Sequence, residues 1–409
     1  MTTVYLKELV RRKIGYGIVQ PSDSRFLSIP VIKVNNIISG LNSVDALDKT
    51  SQTISQKYSR TVLQGGELLV SVVGTIGKTA IVPNSFAGCN IARAVAMIDI
   101  QDPILAMWVK YYIDSPQGQA YIIENLNTTV QATLNIKDLE NMPVPLFNRS
   151  QLERRVAVLR SLDDKMALNN RINHNLEEQA QALYKSWFVD FEPFKDGAFE
   201  VSELGLIPVG WNVKKIGELP LFIADYVANG SFASLKENVR LYESENYAVF
   251  VRNTDLKAGS FPIFVDAHSY NFLSKTKLSG GEIIISNVGD VGSVHFCPRL
   301  NRPMTLGNNV IMIKAEDKRY YAFLYLCFKY FSGHYSIEGI TGGSAMPKFN
   351  KTDFKGIKLI IPSSDILSRF DDIASSLFHR IELNKRECEE LSSQRDTLLP
   401  AFMSGQLTC

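Results

Sequence analysis

The chain has 409 residues, of which 45% are hydrophobic and 21% charged, and its formal net charge is +2. That length is too great for one typical domain and sufficient for two or three with proper cores, in an ordinary globular composition. No apolar run approaches the ~18 residues that span a bilayer, and MTTVYLKELVRRK lacks a signal-peptide core, so a cytoplasmic protein is expected. The cysteines Cys89, Cys297, Cys327, Cys388 and Cys409 are scattered and never in CxxC spacing, which argues against a disulfide framework or a zinc site.

Residues 1–149 read as a compact mixed domain. Short β-branched runs bounded by Gly, Asn or Pro predict strands at Ile29–Val34, Glu67–Val73 and Ala92–Ile98. Pro103 sits at a first-turn position and predicts a helix over Asp102–Asp114. Gly74-Thr75-Ile76-Gly77-Lys78-Thr79 looks like a nucleotide-binding loop, but that pattern needs glycine where Val72 stands. It reads instead as a tight glycine turn between two strands, whose backbone can lie close to a phosphate. Pro143 and Pro145 stop regular structure at the end of the domain.

A long helical pattern over 150–191 follows, with Leu162, Met166, Leu176, Leu183 and Trp187 in steps of three and four that predict a coiled-coil seam. Roughly 40 residues would make a rod of about 60 Å. A turn-rich linker occupies 192–210, a second mixed domain 211–363 and a second long helix 364–409. The second seam holds Leu377, Ile381, Leu391, Leu398 and Phe402, together with Ile366, Phe370, Ile373 and Cys388. Asn169 and Asn384 take equivalent places, where a polar residue fixes register if it faces the seam and does nothing if it faces solvent. Pro400 stands where the first helix has Lys185, so the second helix is expected to end or bend there.

The two halves are copies. A shift of 215 residues lays Gly65-Gly66-Glu67 on Gly280-Gly281-Glu282, Ser71 on Ser286, Gly74 and Gly77 on Gly289 and Gly292, and Leu168 and Asn169 on Leu383 and Asn384. Earlier the shift is 219, with Lys33 on Arg252 and Asn36 on Asp255. The predicted fold class is therefore α+β: domain, helix, domain, helix, with the helices antiparallel and a pseudo-twofold internal duplication. Charge follows the same division. Residues 1–150 carry 14 basic and 11 acidic side chains and 205–360 carry 18 and 13, whereas 151–204 carry 7 and 10 and 361–409 carry 5 and 8. Basic domains alternating with acidic helices fit a polyanion as the partner of the domains alone.

A site essential to both halves should appear in both, yet none of His174, His268, His295, His334 and His379 recurs at the shifted position. Glu316-Asp317-Lys318 has a nuclease-like Glu-x-Lys spacing, but its counterparts are Gln101 and Pro103. No Pro-Pro dipeptide occurs, so the Asn-Pro-Pro-Tyr motif with which amino-methyltransferases hold a flipped base is missing. No metal cluster or cofactor fingerprint emerges, and no catalytic residue is assigned.

The order of IPVIKV, GGELLVSVVGTIGK, TLNIKDLENMPVP, a helix ending LEEQAQALYKSWFVDFEP and a linker ending IPVGW, all but the last repeated in kind, resembles the specificity subunits of type I restriction and modification systems. The resemblance covers essentially the whole chain and is strongest over Leu168–Pro193. It implies two target recognition domains that each read one half of a bipartite double-stranded DNA site, held apart by the long helices. It also implies docking of two modification (methyltransferase) subunits on the helices, with S-adenosylmethionine, ATP and Mg used by the modification and restriction subunits and no cofactor bound by this chain. A prokaryotic, cytoplasmic protein follows. The first domain departs from the pattern in lacking its own Pro-x-Gly-Trp. The rival readings are a self-contained DNA methyltransferase or nuclease with a cryptic site, and a coiled-coil scaffold.

Positions that recur between copies are candidates for positioning DNA or for maintaining the fold: Lys33 with Arg252, Arg60 with Lys275, and Asn135 with Asn350. Positions that vary near the same loops are candidates for groove contacts, because different half-sites need different readers. These are Lys78, Arg93 and Gln131 in the first domain, and Ser231, Asn253, Asn287, Asn308 and Lys348 in the second.

Overall fold

A computed structural model describes residues 1–19, 27–127, 132–343 and 345–407. The chain divides into two units, one of residues 1–169 with 385–409 and the other of residues 170–384.

In the first unit a four-stranded antiparallel sheet runs in the order Arg12–Tyr16, Val95–Asp99, Leu68–Ser71, Thr79–Ile81. A three-stranded sheet sets Ile29–Ile32 between Asp48–Thr50, antiparallel, and Asn90–Ile91, parallel. The helix Pro103–Asp114 begins behind Asp102, whose carboxylate accepts from the amide of Ile104. It buries Trp108, Val109 and Tyr111 against the sheet, each such side chain contributing ~1.5–3 kcal/mol. The Trp108 indole donates to the Pro145 carbonyl at 2.7 Å, so its polar edge is satisfied. Thr2–Tyr5 pairs with Pro143–Leu146. The first domain therefore has an edge pair despite lacking Pro-x-Gly-Trp, and Pro143 and Pro145 stand inside its strand instead of stopping regular structure.

The second unit repeats this plan. Its four-stranded sheet has the order Leu221–Asp225, Val310–Ala315, Ile283–Ser286, Val294–Phe296. The central pairing Leu68↔Ile98 becomes Ile283↔Ile313, both partners displaced by 215. Ala248–Val251 pairs in parallel with Met304–Leu306, as Ile29–Ile32 does with Asn90–Ile91. Asn212–Lys215 pairs with Lys358–Ile361, the counterpart of the first domain's edge pair.

Both copies hold their Gly-Gly turns with a buried carboxylate. Glu67 accepts from the amides of Gln64 and Gly65, and Glu282 from those of Ser279 and Gly280. The turns need glycine because Gly65, Gly66, Gly280 and Gly281 all have φ between 90° and 96°.

The long helices are Arg149–Phe188 and Ser364–Ser404. The first stops three residues before the expected end, and Phe191 takes φ 54°, held between Trp211 and Phe199 at centroid distances of 5.5 and 6.0 Å. Pro400 does not end the second, which continues to Ser404 because Leu399, Phe402 and Met403 are buried in the core of the first unit. The Arg155 guanidinium, itself buried, donates to the carbonyls of Phe402 and Leu407 at 2.9 Å and lies 3.6 Å from the Phe147 ring centre. It thereby bonds one carbonyl in the last turn of the helix, at the negative end of the dipole, and one in the segment just beyond it.

Asn169 and Asn384 are both buried, which excludes the solvent-facing alternative. Asn169 donates to Glu387 at 2.7 Å in the first unit, and Asn384 donates to Asn173 at 2.8 Å in the second. Ile381 and Phe402 are buried, and Leu162, Met166, Leu176, Leu183, Trp187, Leu377, Leu391 and Leu398 are half-buried. Ile373 is a correction: it is 44% exposed and faces away from the seam, while its neighbour Ala374 is buried. The 192–210 linker also holds regular structure, a hairpin of Phe199–Ser202 with Gly205–Pro208.

Candidate nucleic-acid interface

Four segments converge at one end of the first domain's sheet, where Lys33–Asn35, Val73–Thr75, Ala92–Ala94 and Thr133 surround an open cleft of about 620 Å³. Each segment is fixed by backbone bonding. The Lys33 amide donates to the Asn36 side chain at 2.7 Å, which starts the helix Val34–Ser39. The glycine turn is closed by the Gly77 amide on the Ser71 carbonyl and the Lys78 amide on the Ser71 hydroxyl, both at 2.8 Å. Gly74 and Gly77 have φ near 78°, which explains glycine at both positions. The Arg93 amide donates to Ile18 and the Leu134 amide to Val72.

Lys33 and Arg93 line this cleft together. Lys33 pairs with Asp48 at 2.6 Å; Arg93 is exposed, and among the described residues no carboxylate pairs with it. Lys78 is exposed at the foot of the turn. The cleft thus offers two cations, the Thr75 and Thr133 hydroxyls and a bare glycine backbone, donors suited to phosphate oxygens and to base acceptors. Gln131 lies outside the described residues.

The second domain builds the same frame with different chemistry. The bridge Val73↔Thr133 becomes Val288↔Lys348, and the Phe349 amide donates to Asn287 as that of Leu134 does to Val72. The Arg252 amide donates to Asp255, repeating the Lys33 cap, but its guanidinium folds back on the same carboxylate at 2.6 and 2.9 Å. Asn308 and Lys348 are exposed near the turn. Asn287 serves the frame, its amide donating to the Phe349 carbonyl at 3.4 Å. Asn309, at φ 61°, accepts from the Asn287 amide.

The remaining candidates are structural in position. Asn135 and Asn350 precede short helices, where Asn350 caps the Asp353 amide and both donate to the carboxylate three residues on. Ser231 caps Phe232–Asn238. Arg60 lies near the other end of strand Leu68–Ser71 from the glycine turn, its carbonyl facing Arg12, which pairs with Glu67. Lys275 occupies the equivalent segment Ser274–Thr276.

Three features escaped the sequence reading. Gln119 props the first turn by donating to the Gly77 carbonyl at 3.2 Å, and its counterpart His334 stands beside Gly292 in a cleft of about 490 Å³. Arg155 caps the other helix. At the tip of the second turn Asp290 accepts from Asn253 at 2.9 Å and Lys257 at 2.6 Å, and these two hold its carboxyl below the usual range. The signal for Asp290 was the contrast with Thr75, its partner in the duplication.

A family profile described as "Type I restriction modification DNA specificity domain" matches residues 7–178 and 208–393. The chain belongs to this family. The MjaIX type I restriction enzyme specificity subunit of Methanocaldococcus jannaschii is 26% identical across 86% of this chain and 80% of its own length. The HindI specificity subunit of Haemophilus influenzae is 24% identical across 67% and 69%. The crystal structure of a type I restriction-modification S subunit from M. genitalium superposes with a TM-score of 0.52 at 14% identity, covering 98% of this chain and 95% of that one, which shows a shared fold. Each specificity domain, as the family profile delimits it, comprises a mixed head and the first part of the helix that follows.

Proposed function

We propose that this chain is the sequence-reading subunit of a type I restriction and modification complex, each specificity domain reading one half of a double-stranded DNA target. The observation that carries this is a loop frame whose main backbone bonds recur in both heads, Gly77 to Ser71 and Leu134 to Val72 becoming Gly292 to Ser286 and Phe349 to Asn287, while the side chains it presents differ. A shared frame places each head on DNA, and unshared side chains select different bases. The subunit performs no chemistry and acts in the prokaryotic cytoplasm; among the described residues no helix is long and apolar enough to cross a membrane.

The long helices dock the modification subunits. Leu168 and Leu383, identical residues at equivalent positions, are 44% and 41% exposed, apolar surface suited to a protein partner. Lys33→Ala, at a position the copies share, should weaken DNA binding across all sequences and reduce the slope of log affinity against log salt by about 0.9. Arg93→Ala, at a position they do not share, should relax selection within one half of the target only. Leu168→Asp with Leu383→Asp should leave the salt slope unchanged and abolish co-purification of the modification subunits. An unaltered slope with Lys33→Ala together with unaltered selection with Arg93→Ala, or retained subunits with the leucine changes, would refute the corresponding half of the proposal.

A further inference from the structure

Three positions around the glycine turn change together between the copies. Val34, Ile38 and Thr75 of the first domain become Asn253, Lys257 and Asp290 of the second, around a turn whose bridge Val73↔Thr133 recurs as Val288↔Lys348. We infer that Asp290, braced by Asn253 and Lys257, is a base-reading residue of the second specificity domain and that Asp290 and Lys257 together select a C·G pair. The inference rests on the DNA-reading function proposed above.

A base reader must be rigid, and this one is. The turn is locked by the Gly292 amide on Ser286 at 3.0 Å and the Gly289 amide on Pro347 at 2.8 Å. The Asn253 amide and the Lys257 ammonium both donate to Asp290 Oδ2, one from each end of the helix Asn253–Ala258. Asn253 Oδ1 is buried and has no partner among the described residues. Turning the amide over would set that oxygen against the carboxylate, so Asp290 dictates its orientation and the unpaired oxygen is the consequence.

The reader must also reach out. The Asp290 and Lys257 side chains are 52% and 50% exposed, and the Asn253 and Lys257 bonds both fall on Oδ2. The Ser293 side chain also hydrogen-bonds this carboxylate, whose oxygens keep further lone pairs to accept from DNA. A carboxylate accepts from the cytosine N4 amino group in the major groove, and an ammonium, with two further donors, reaches O6 and N7 of the paired guanine. The same ammonium offsets the repulsion a bare carboxylate would suffer near phosphates. Thr75 is uncharged, and Val34 and Ile38 stand at the positions of Asn253 and Lys257, so the first domain cannot make this pair of contacts and the preference belongs to one half of the target only.

The test selects DNA from a duplex library, randomised across both halves, with the full chain bound to the modification subunits of its host. Wild type should enrich two fixed halves, one containing a C·G pair that Asp290→Ala relaxes by about tenfold. Asp290→Asn should move that position towards A·T, since asparagine pairs with the N6 and N7 edge of adenine. All other positions should stay fixed, the first half serving as the internal control for folding. Unchanged selection by both variants would overturn the inference, as would loss of the whole second half, which would make Asp290 part of the frame. A wild-type chain that enriches no sequence would instead refute the DNA-reading function itself.

Discussion

Glu67, Glu282, Arg155 and Glu177 show how single charged residues hold elements together from within. Burial alone would push the Glu177 carboxyl up. The Lys329 ammonium at 2.7 Å, with the Tyr330 and Tyr325 hydroxyls on the same oxygen, more than offsets this and holds it below its ordinary 4.5. A carboxylate with a depressed folded-state pKa stabilises fully above its unfolded value, and that contribution is lost as pH falls through the folded value. Glu177→Gln should therefore cost about 1–3 kcal/mol at pH 7, the worth of hydrogen bonds to a charged group. In denaturant unfolding of both proteins from pH 7 to pH 3, the deficit should hold down to about 4.5 and shrink below it. A deficit that ignores pH would mean that Glu177 acts by shape alone.

The long helices act at the scale of elements, and only part of that action was legible in the sequence. Spacing of three and four located both helices, and the 215-residue shift paired them, because periodicity and repetition are properties of the chain itself. What the helix ends touch is not. Leu152, Val156 and Leu159 join Leu399, Phe402 and Met403 in the first core, and Tyr184 and Phe188 pack on Phe323 and Phe370 in the second. Arg155 looks like one more surface charge until the carbonyl it caps, 247 residues away, is beside it. The same limit hid which candidates meet: Lys33, chosen because it recurs, and Arg93, chosen because it varies, line one cleft, whereas Asn350 and Ser231, chosen on the same grounds, cap helices and Asn135 stands at a helix start without a side-chain cap bond. Pro400 does not end its helix, because its local cost of ~3 kcal/mol is outweighed by the apolar residues buried around it. Phe402→Ala, just past that proline, should therefore cost about 3–5 kcal/mol in unfolding experiments, as a core truncation does. Leu168→Ala, exposed on the other long helix, should stay within about 0.5 kcal/mol.

For the whole molecule, the divisions by duplication and by packing nearly coincide, and where they differ the packing gives the boundary of the core. The sequence places the second domain at 211–363, yet its core takes in Ala180, Tyr184 and Phe188 before that range and Leu367, Phe370 and Ala374 after it. The unit that carries its own core is 170–384, cut inside both helices next to the buried Asn169 and Asn384. If a specificity domain is a module, this is the piece to exchange. Replacing 170–384 with its counterpart from another family member should leave one half of the DNA target intact and substitute the other, as read by sequencing the methylation pattern of cells carrying the chimera and its modification subunits. Replacing 211–363 alone sets Tyr184, Phe188 and Phe370 against a foreign head, and that chimera should melt at a lower temperature than the first. A change in both halves of the target from the 170–384 exchange would show that the two specificity domains do not read independently, whatever the symmetry of their frames.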